Sequence, residues 1–587
     1  MRNYDFAPEE HERDLLAILD EVEALPEIQT RSLDRILRRH PKNGSSIFSR
    51  SELIAGVRYL AKLYDWPSER EAVIEKLRMK PVRSLSGVTP VTILTKPFPC
   101  PGKCIFCPSD VRMPKSYLAS EPGAQRAGMH HFDPYEQTHA RLSALYRIGH
   151  PVDKVELIVL GGTWSFYTEP YQIWFLKRTF DALNDFGADL PGAPPRSWID
   201  FEAIGEQVDG RNGGNPYNRI VSDFTGRVDA SGEVEAAESA TWDELASVQR
   251  KNETAGSRCV GLSLETRPDY VTEEEVVRLR RLGATKIQIG YQSLSDEVLE
   301  LNQRGHDVAA SRRATKLLRQ AGFKIQVHWM ANLYGSTPER DVADFARLFS
   351  DPDFRPDELK LYPCSLIESA ELMTHYEAGR YRPYSEDELL KILIECMTST
   401  PVYCRLSRVI RDIPGDDILA GSKVTNFRAI AEAEMAKRGI GSHDIRAREI
   451  RGDTAPANTL RLVVERYRTS VGDEAFLQFV TETGESGRLA GFLRLSLPEE
   501  PVYIAELEAS ALIREVHVYG AAATIGERDE RKAQHLGLGR RLIDHAAELA
   551  CEHGFSKMAV ISSVGTREYY RRQGFSDGAL YQHRAIR

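Results

Sequence analysis

The chain has 587 residues, 42 % hydrophobic and 28 % charged, with a net charge of −9. This length predicts roughly three to four domains of ordinary globular composition, and no stretch approaches the roughly 20 apolar residues of a membrane span. The acidic balance excludes a nucleic-acid role resting on net charge; such a role needs a local basic surface.

The first residues, MRNYDFAPEEHERDLL, lack the apolar run of a secretory signal, so the cytoplasm is the expected location. Residues 1–30 read as a mobile lead or a short helix. Between 31 and 83, arginines and lysines accumulate while Leu33, Ile36, Leu37, Leu53, Ile54, Val57 and Leu60 recur at helical spacing. A small basic helical module over 1–83 is expected. Arg38, Arg39, Lys42, Lys80 and Arg83 are its candidate phosphate contacts, although charge runs also serve simply as solvated helix faces.

From residue 91, β-rich runs at 91–95, 156–160, 260–264, 286–290, 324–328 and 358–362 alternate with helical stretches. Repeated βα units predict a parallel sheet, here a partial (β/α)6 barrel over 84–364 with its site at the C-terminal strand ends. A polar Gly/Asn/Asp-rich insertion at about 185–250 interrupts it and reads as a partly disordered surface loop. Residues 365–456 read as a helical connection. Strand-like runs at 460–466, 475–481, 489–497 and 511–519, a glycine-turn helix and a last strand pair predict a mixed α/β domain over 457–587.

Three of the eight cysteines, Cys100, Cys104 and Cys107, lie in KPFPCPGKCIFCPSD directly after the first predicted strand. Such clustering reads as a metal site. Three thiolates can hold three irons of a [4Fe–4S] cluster and leave the fourth open to the amino and carboxylate groups of S-adenosylmethionine (SAM). A zinc knuckle normally wants a fourth protein ligand. Later strand ends offer Gly161, Gly162 and Thr163, then Glu265 and Arg267, then Gln292 as a SAM cradle; glycine lets backbone approach a ligand closely. Cys364, Cys396 and Cys404 are unclustered, and a second metal site there stays open.

Near the C-terminus, Gln534, Gly537 and Gly539 form Q-x-x-G-x-G ahead of a helical run at 541–551. Amides at such a turn make an anion site suited to the pyrophosphate of coenzyme A. The strand carrying Glu515, Val516, His517 and Val518 can offer its edge to the pantetheine arm. Tyr570 begins a Y-x-x-x-G-F pattern.

The cysteine spacing, Phe106 and the βα units resemble the radical SAM superfamily, and the C-terminal motifs resemble the GNAT acetyltransferases. Both halves in this order resemble the Elongator catalytic-subunit family in its stand-alone bacterial or archaeal form. The resemblance runs from about residue 75 to the end. It includes SLSGV at 84–88, DPY at 133–135, VDKVE at 152–156, GGT at 161–163, ETRPDY at 265–270, NQRGH at 302–306, LKLYP at 359–363 and RDIP at 411–414.

The resemblance implies a tRNA-modifying acyltransferase that places a carboxymethyl group on C5 of the wobble uridine. Its cofactors would be a [4Fe–4S] cluster, SAM and acetyl-CoA. A radical made from SAM takes hydrogen from the acetyl methyl group, the acetyl radical adds to C5, and hydrolysis releases CoA. It further implies that Lys154 reaches the acetyl-CoA site from the radical domain and that Glu515, Val516, His517, Val518, Leu538, Gly539, Arg540 and Tyr570 contact acetyl-CoA. Lys154 and Tyr570 take the catalytic roles, Tyr570 by protonating the leaving thiolate. The implied partner is a tRNA anticodon stem-loop, docked on the basic N-terminal module, with the enzyme acting alone or as a homodimer. The C-x3-C spacing is shorter than in eukaryotic members, and the 185–250 insertion has no clear counterpart. The rival reading is a protein lysine acetyltransferase with a structural iron–sulfur domain; dependence of the product on SAM separates the two.

Overall fold

The fold is taken from a computed structural model that describes residues 6–25, 28–67, 70, 72–188, 216–229, 237–411, 413–424, 426–450, 460–481, 487–519 and 537–586. At its N-terminal end, helices Glu12–Glu23, Thr30–Arg39 and Arg50–Tyr64 form a bundle. Leu15, Ile18, Leu19 and Val22 fall on one helical face and are buried with Leu33, Leu37, Leu53, Val57 and Leu60. Of the two readings of the stretch before residue 30, Glu12–Glu23 follows the short helix, and it packs into the core of this bundle. Ser49 and Glu52 close a capping box at the start of Arg50–Tyr64. The bundle docks on helix Pro134–Arg147 and the turn after it: Arg58 donates to Tyr146 O and Arg78 to Gly149 O, both at 2.8 Å.

Strands β1 (Thr89–Leu94), β2 (Lys154–Leu160), β3 (Arg258–Thr266), β4 (Lys286–Gln292), β5 (Lys324–Ala331) and β6 (Glu358–Pro363) pair in parallel and in chain order. They coincide with the six expected runs. β4 is buried at almost every position, as a strand covered on both faces must be. Helices Glu273–Arg281, Val308–Gln320 and Pro338–Ser350 return the chain between strands. Each is capped by a side chain accepting a first-turn N–H: Thr272, Asp307 and Thr337. A seventh strand, β7 (Arg405–Arg408), pairs with β6 from Glu358↔Arg405. It belongs to the stretch expected to be a helical connection. Its sequence, RLSR, has one apolar residue and so carries no strand signal.

β8 (Leu460–Arg468), β9 (Gly472–Thr481), β10 (Leu489–Pro498), β11 (Ser510–Val518), β12 (Lys557–Val560), β13 (Ser576–Asp577) and β14 (Gln582–Ala585) build the second sheet, ordered β13-β14-β12-β11-β10-β9-β8. All its pairs are antiparallel except β11–β12. β11 pairs with β12 only from Ser510 to Ile513 and runs on past the end of that strand. Helix Leu538–Glu552 packs on this sheet through Leu538, Leu542, Ile543 and Ala546.

A buried ionic network joins the two sheets. Asp357, just before β6, meets Arg514 of β11 and Arg494 of β10; Arg514 also holds Glu474 at 2.8 Å, and Arg319 lies 3.3 Å from Glu474. These five side chains are at most 1 % exposed. Tyr581 donates to Ala321 O and Ser563 to Cys259 O, each at 2.8 Å, on the same interface.

Candidate active site

The loop after β1 brings Cys100, Cys104 and Cys107 to the C-terminal end of the barrel. They line a cavity of about 70 Å³ together with Gly161, Gly162 and Thr163 after β2, Glu265 and Arg267 around the end of β3, and Gln292 at the end of β4. All the expected cluster and SAM residues thus face one space. Gly161 has φ +146, and a Cβ there would lie 1.8 Å from Thr95 Oγ1, so only glycine fits. Gln292 sits at φ +69, a strained conformation for a side-chain-bearing residue.

Sequence reasoning missed Arg304, Lys115 and Ser116, which also line this cavity. Arg304 donates to Cys104 Sγ at 3.3 Å and to Gly290 O at 2.9 Å. The hydrogen bond with Cys107, with help from Arg304 and Arg267, holds the Cys104 thiol well below its ordinary range despite burial. A thiolate there is what iron binds. The NQRGH run was visible, but nothing in its spacing points back to a cysteine two hundred residues earlier.

The residues fit the implied groups. Glu265 Oε2 and Arg267 Nη1 are buried without a hydrogen-bond partner among the described residues. One is an acceptor and the other a donor, matching the ammonium and carboxylate of a bound amino acid moiety. Among the described residues, no three His, Cys, Asp or Glu side chains are grouped to hold a single metal ion; the three cysteines instead ring a cavity, as a multi-iron cluster requires. Cys364, Cys396 and Cys404 are buried in apolar clusters, with their thiols pushed up by burial.

A second cavity of about 440 Å³ lies at the other end of the barrel strands. Glu156, Lys286, Lys324, Glu358 and Arg405 line it from the barrel, and Glu515, Val516, His517 and Tyr570 from the second sheet. Here β11 runs beyond its pairing with β12. The Glu515 carboxylate is occupied by Lys324 and by Arg494 at 2.8 Å, so its backbone is what remains to offer. Burial pushes the Tyr570 hydroxyl far up, which keeps its proton available as a donor at neutral pH. Burial also holds His517 down to about 4, hence neutral.

Gly537, at φ +63, opens helix Leu538–Glu552. The first-turn amides of Leu538, Gly539 and Arg540 have no partners within the helix. A Cβ at Gly539 would come 2.6 Å from Tyr569 Oη and 3.8 Å from Val518 Cγ2, so this turn abuts the end of β11. Arg540 is exposed, with Asp544 at 3.7 Å. Gln534 lies outside the described residues. Lys154 opens β2, half-buried, and lines neither cavity.

The two cavities share no lining residue. Between them runs a column of polar side chains, spaced at the two-residue period of strands: Lys286 and Gln288 on β4, Lys324, Gln326 and His328 on β5, Glu358 and Lys360 on β6. Glu358 binds Lys324 at 2.7 Å and Gln326 at 2.6 Å. Lys360 donates to Gln288, which lies 3.1 Å from His328, and His328 lies 3.7 Å from Glu265. Burial lowers Lys360 to about 8. Glu358 lines the larger cavity and Glu265 the smaller, so this column lies within the barrel between the two sites. The signal was present in KIQIG, KIQVH and ELKLY, whose alternate polar residues contradict a purely apolar barrel interior.

The expected phosphate contacts divide. Arg38, Lys80 and Arg83 are exposed, and Arg83 stands at the larger cavity. Arg39 pairs with Glu21, and Lys42 binds the buried Glu52 at 2.6 Å, within 6.0 Å of the Phe6 and Phe48 rings. Lys42 is thus engaged inside the bundle. Arg31, Arg35 and Arg38 share one exposed face of helix Thr30–Arg39.

The Radical SAM superfamily model matches residues 229–349, the Radical SAM C-terminal domain model 356–437 and the Acetyltransferase (GNAT) family model 445–575. A tRNA uridine(34) acetyltransferase of Methanocaldococcus infernus is 36 % identical, over 89 % of this chain and 90 % of the relative. One of Dehalococcoides mccartyi is 38 % identical, over 85 % and 98 %. Elongator complex protein 3 of Homo sapiens is 33 % identical, over 87 % and 86 %. The solved structure of the archaeal Methanocaldococcus infernus Elp3 lacking residues 1–46 superposes with a TM-score of 0.66 at 32 % identity, covering 85 % of this chain and 99 % of that one.

Proposed function

Because the chain belongs to the family of tRNA uridine(34) acetyltransferases and Elongator complex protein 3, we propose that it attaches a carboxymethyl group to C5 of uridine 34 in tRNA, consuming acetyl-CoA and SAM. The observation that carries this reading is the pair of cavities at opposite ends of one barrel, with a column of polar side chains between them. A lysine acetyltransferase has no use for such an arrangement. Uridine C5 is a poor nucleophile and an acetyl C–H bond is too strong for a side-chain base, so joining them needs a radical generator.

Cys100, Cys104 and Cys107 would hold the cluster, and Glu265, Arg267, Gln292 and the Gly161–Gly162 turn would cradle SAM. When bound, these groups would supply hydrogen-abstracting radical chemistry directed at the acetyl methyl group. The part of β11 beyond its pairing with β12 receives the pantetheine arm, and the helix turn at Gly537 binds the pyrophosphate with its first-turn amides. This directs the acetyl end into the barrel floor at Lys286, Lys324 and Glu358. The lumen side chains hold the thioester by hydrogen bonds and keep bulk water out. Tyr570, protonated at neutral pH, gives its proton to the departing thiolate when CoA leaves. Arg31, Arg35, Arg38, Lys80 and Arg83 bind phosphates of the anticodon stem-loop, whose single-stranded loop lets its bases be splayed out. No helix among the described residues is long and apolar enough to cross a membrane.

Mass spectrometry of tRNA nucleosides tests this. Carboxymethyluridine is expected only when acetyl-CoA, SAM and reductant are all present. Acetylated lysine formed without SAM, with unmodified tRNA, would support the rival reading instead.

A further inference from the structure

The cluster loop is fastened at two points, and they come from different parts of the chain. Its Cys104–Cys107 half is held by the barrel. Ile105 N donates to Asn302 O at 3.2 Å, Leu372 N donates to Ile105 O at 2.8 Å, and Arg304 reaches Cys104 Sγ. Cys100 is held from the insertion. Asn218, in helix Pro216–Asp229, accepts from Cys100 N at 2.9 Å and donates to Cys100 O at 2.7 Å. One side-chain amide thus pairs with both backbone groups of a cysteine, as a neighbouring strand would.

The helix carrying Asn218 is itself fixed beside the loop. Tyr217 is fully buried and donates to Met113 O at 2.8 Å. Its ring lies 4.9 Å from the ammonium of Lys115, which lines the cluster cavity. Val111, Tyr217 and Val221 form a small apolar cluster of their own. Further along the insertion, the buried Glu238 pairs with Lys96, four residues before Cys100.

We infer that Asn218 is a positioning residue for the iron–sulfur cluster: the insertion fastens Cys100 in its ligand position through the Asn218 amide. The inference rests on the reading of Cys100, Cys104 and Cys107 as cluster ligands. It gives the insertion a role that neither barrel strands nor cysteine spacing supply. Without the clamp, the nearest fastenings on this side of the loop are at Lys96, held by Glu238, Tyr167 and Tyr171, and at Phe98, stacked on Tyr167, and the Cys100 backbone loses both hydrogen bonds to Asn218. A ligand whose backbone wanders is lost first when iron is withdrawn, and outer-shell partners of metal ligands typically cost ~10–100-fold in metal affinity when removed.

The experiment compares the full-length protein with Asn218→Ala and with the isosteric Asn218→Asp, which still accepts from Cys100 N but cannot donate to Cys100 O. Hydrogen exchange of the iron-free proteins is read over the peptide spanning residues 98–106. Iron release to a chelator is read on the reconstituted proteins. Exchange is expected to quicken about tenfold in Asn218→Ala, the ratio of roughly one to two lost hydrogen bonds. Iron release should quicken by a similar factor, and Asn218→Asp should shift both in the same direction. Exchange in β4 and β5 and affinity for acetyl-CoA should stay as in the wild type, which separates positioning from unfolding. Unchanged exchange over 98–106 and unchanged iron release in both variants would overturn the inference. Failure of the wild-type protein to take up iron would instead overturn the cluster reading, and the iron-free exchange comparison would still decide whether Asn218 clamps the loop.

Discussion

Replacing Cys104 by alanine is expected to abolish SAM cleavage while leaving acetyl-CoA binding intact. Cys104 is buried at the centre of the loop, its thiol depressed by the hydrogen bond with Cys107 and by Arg304 and Arg267. Removing it leaves two thiolates, too few to fix three irons, and leaves the Arg304 and Arg267 guanidiniums facing the cavity without their sulfur. The loss should go well beyond the ~10–100-fold of a supporting residue. Iron content and 5′-deoxyadenosine release, measured on anaerobically reconstituted protein, check it. The acetyl-CoA cavity shares none of its lining with this loop, so calorimetric titration should give the wild-type affinity. Undiminished SAM cleavage in Cys104→Ala would refute the assignment.

The second large effect concerns stability at the domain interface. Asp357→Ala should cost on the order of 3–5 kcal/mol, the penalty for breaking a buried pair and stranding its partner charges. Here the partners are Arg514 and Arg494, both almost wholly buried. Burial alone would raise the Asp357 carboxyl; Arg514, Arg494 and Arg319 overcome that and hold it well below the usual carboxylate range. Glu358 is held down against burial by Lys286 and Lys324 in the same way. A depressed folded pKa means that the unfolded chain takes up protons first as pH falls. The stabilisation is therefore fully present above about pH 4, the ordinary carboxylate value, and is lost as the pH drops below it. Thermal unfolding from pH 7 to pH 3 should show a steep acid loss in the wild type. Asp357→Ala should show a lower midpoint at pH 7 and a shallower acid limb. Equal midpoints at pH 7 would show that the network does not hold the domains together.

The parts of this fold readable from sequence are those written in apolar periodicity. β1 to β6 stood out because each is a short run rich in Val, Ile and Leu bounded by helical segments, and the loop holding Cys100, Cys104 and Cys107 follows the first of them. β7 did not stand out, because Leu406 is its single apolar residue and its place comes from pairing with β6. The helix Glu12–Glu23 was one of two readings of the acidic N-terminal stretch, and Leu15, Ile18, Leu19 and Val22 carry the helical period that decides for it. The polar lumen left a trace in the alternating Lys, Gln and Glu of KIQIG, KIQVH and ELKLY, but alternation alone does not say which face of a strand lines a barrel. Asn218 was invisible for a different reason. Its clamp on Cys100 spans over a hundred residues of chain and uses hydrogen bonds, which leave no periodic trace. Lys42 looked like part of a basic surface because sequence cannot reveal that Glu52 is waiting for it.

The claim that the two cavities serve one reaction is tested most directly by acetyl-CoA deuterated on the methyl group, supplied with SAM, reductant and tRNA. Deuterium is expected in the 5′-deoxyadenosine released, along with a two-carbon unit on C5 of uridine 34. Deuterium-free 5′-deoxyadenosine accompanied by modified tRNA would contradict hydrogen abstraction from the acetyl group through the barrel lumen.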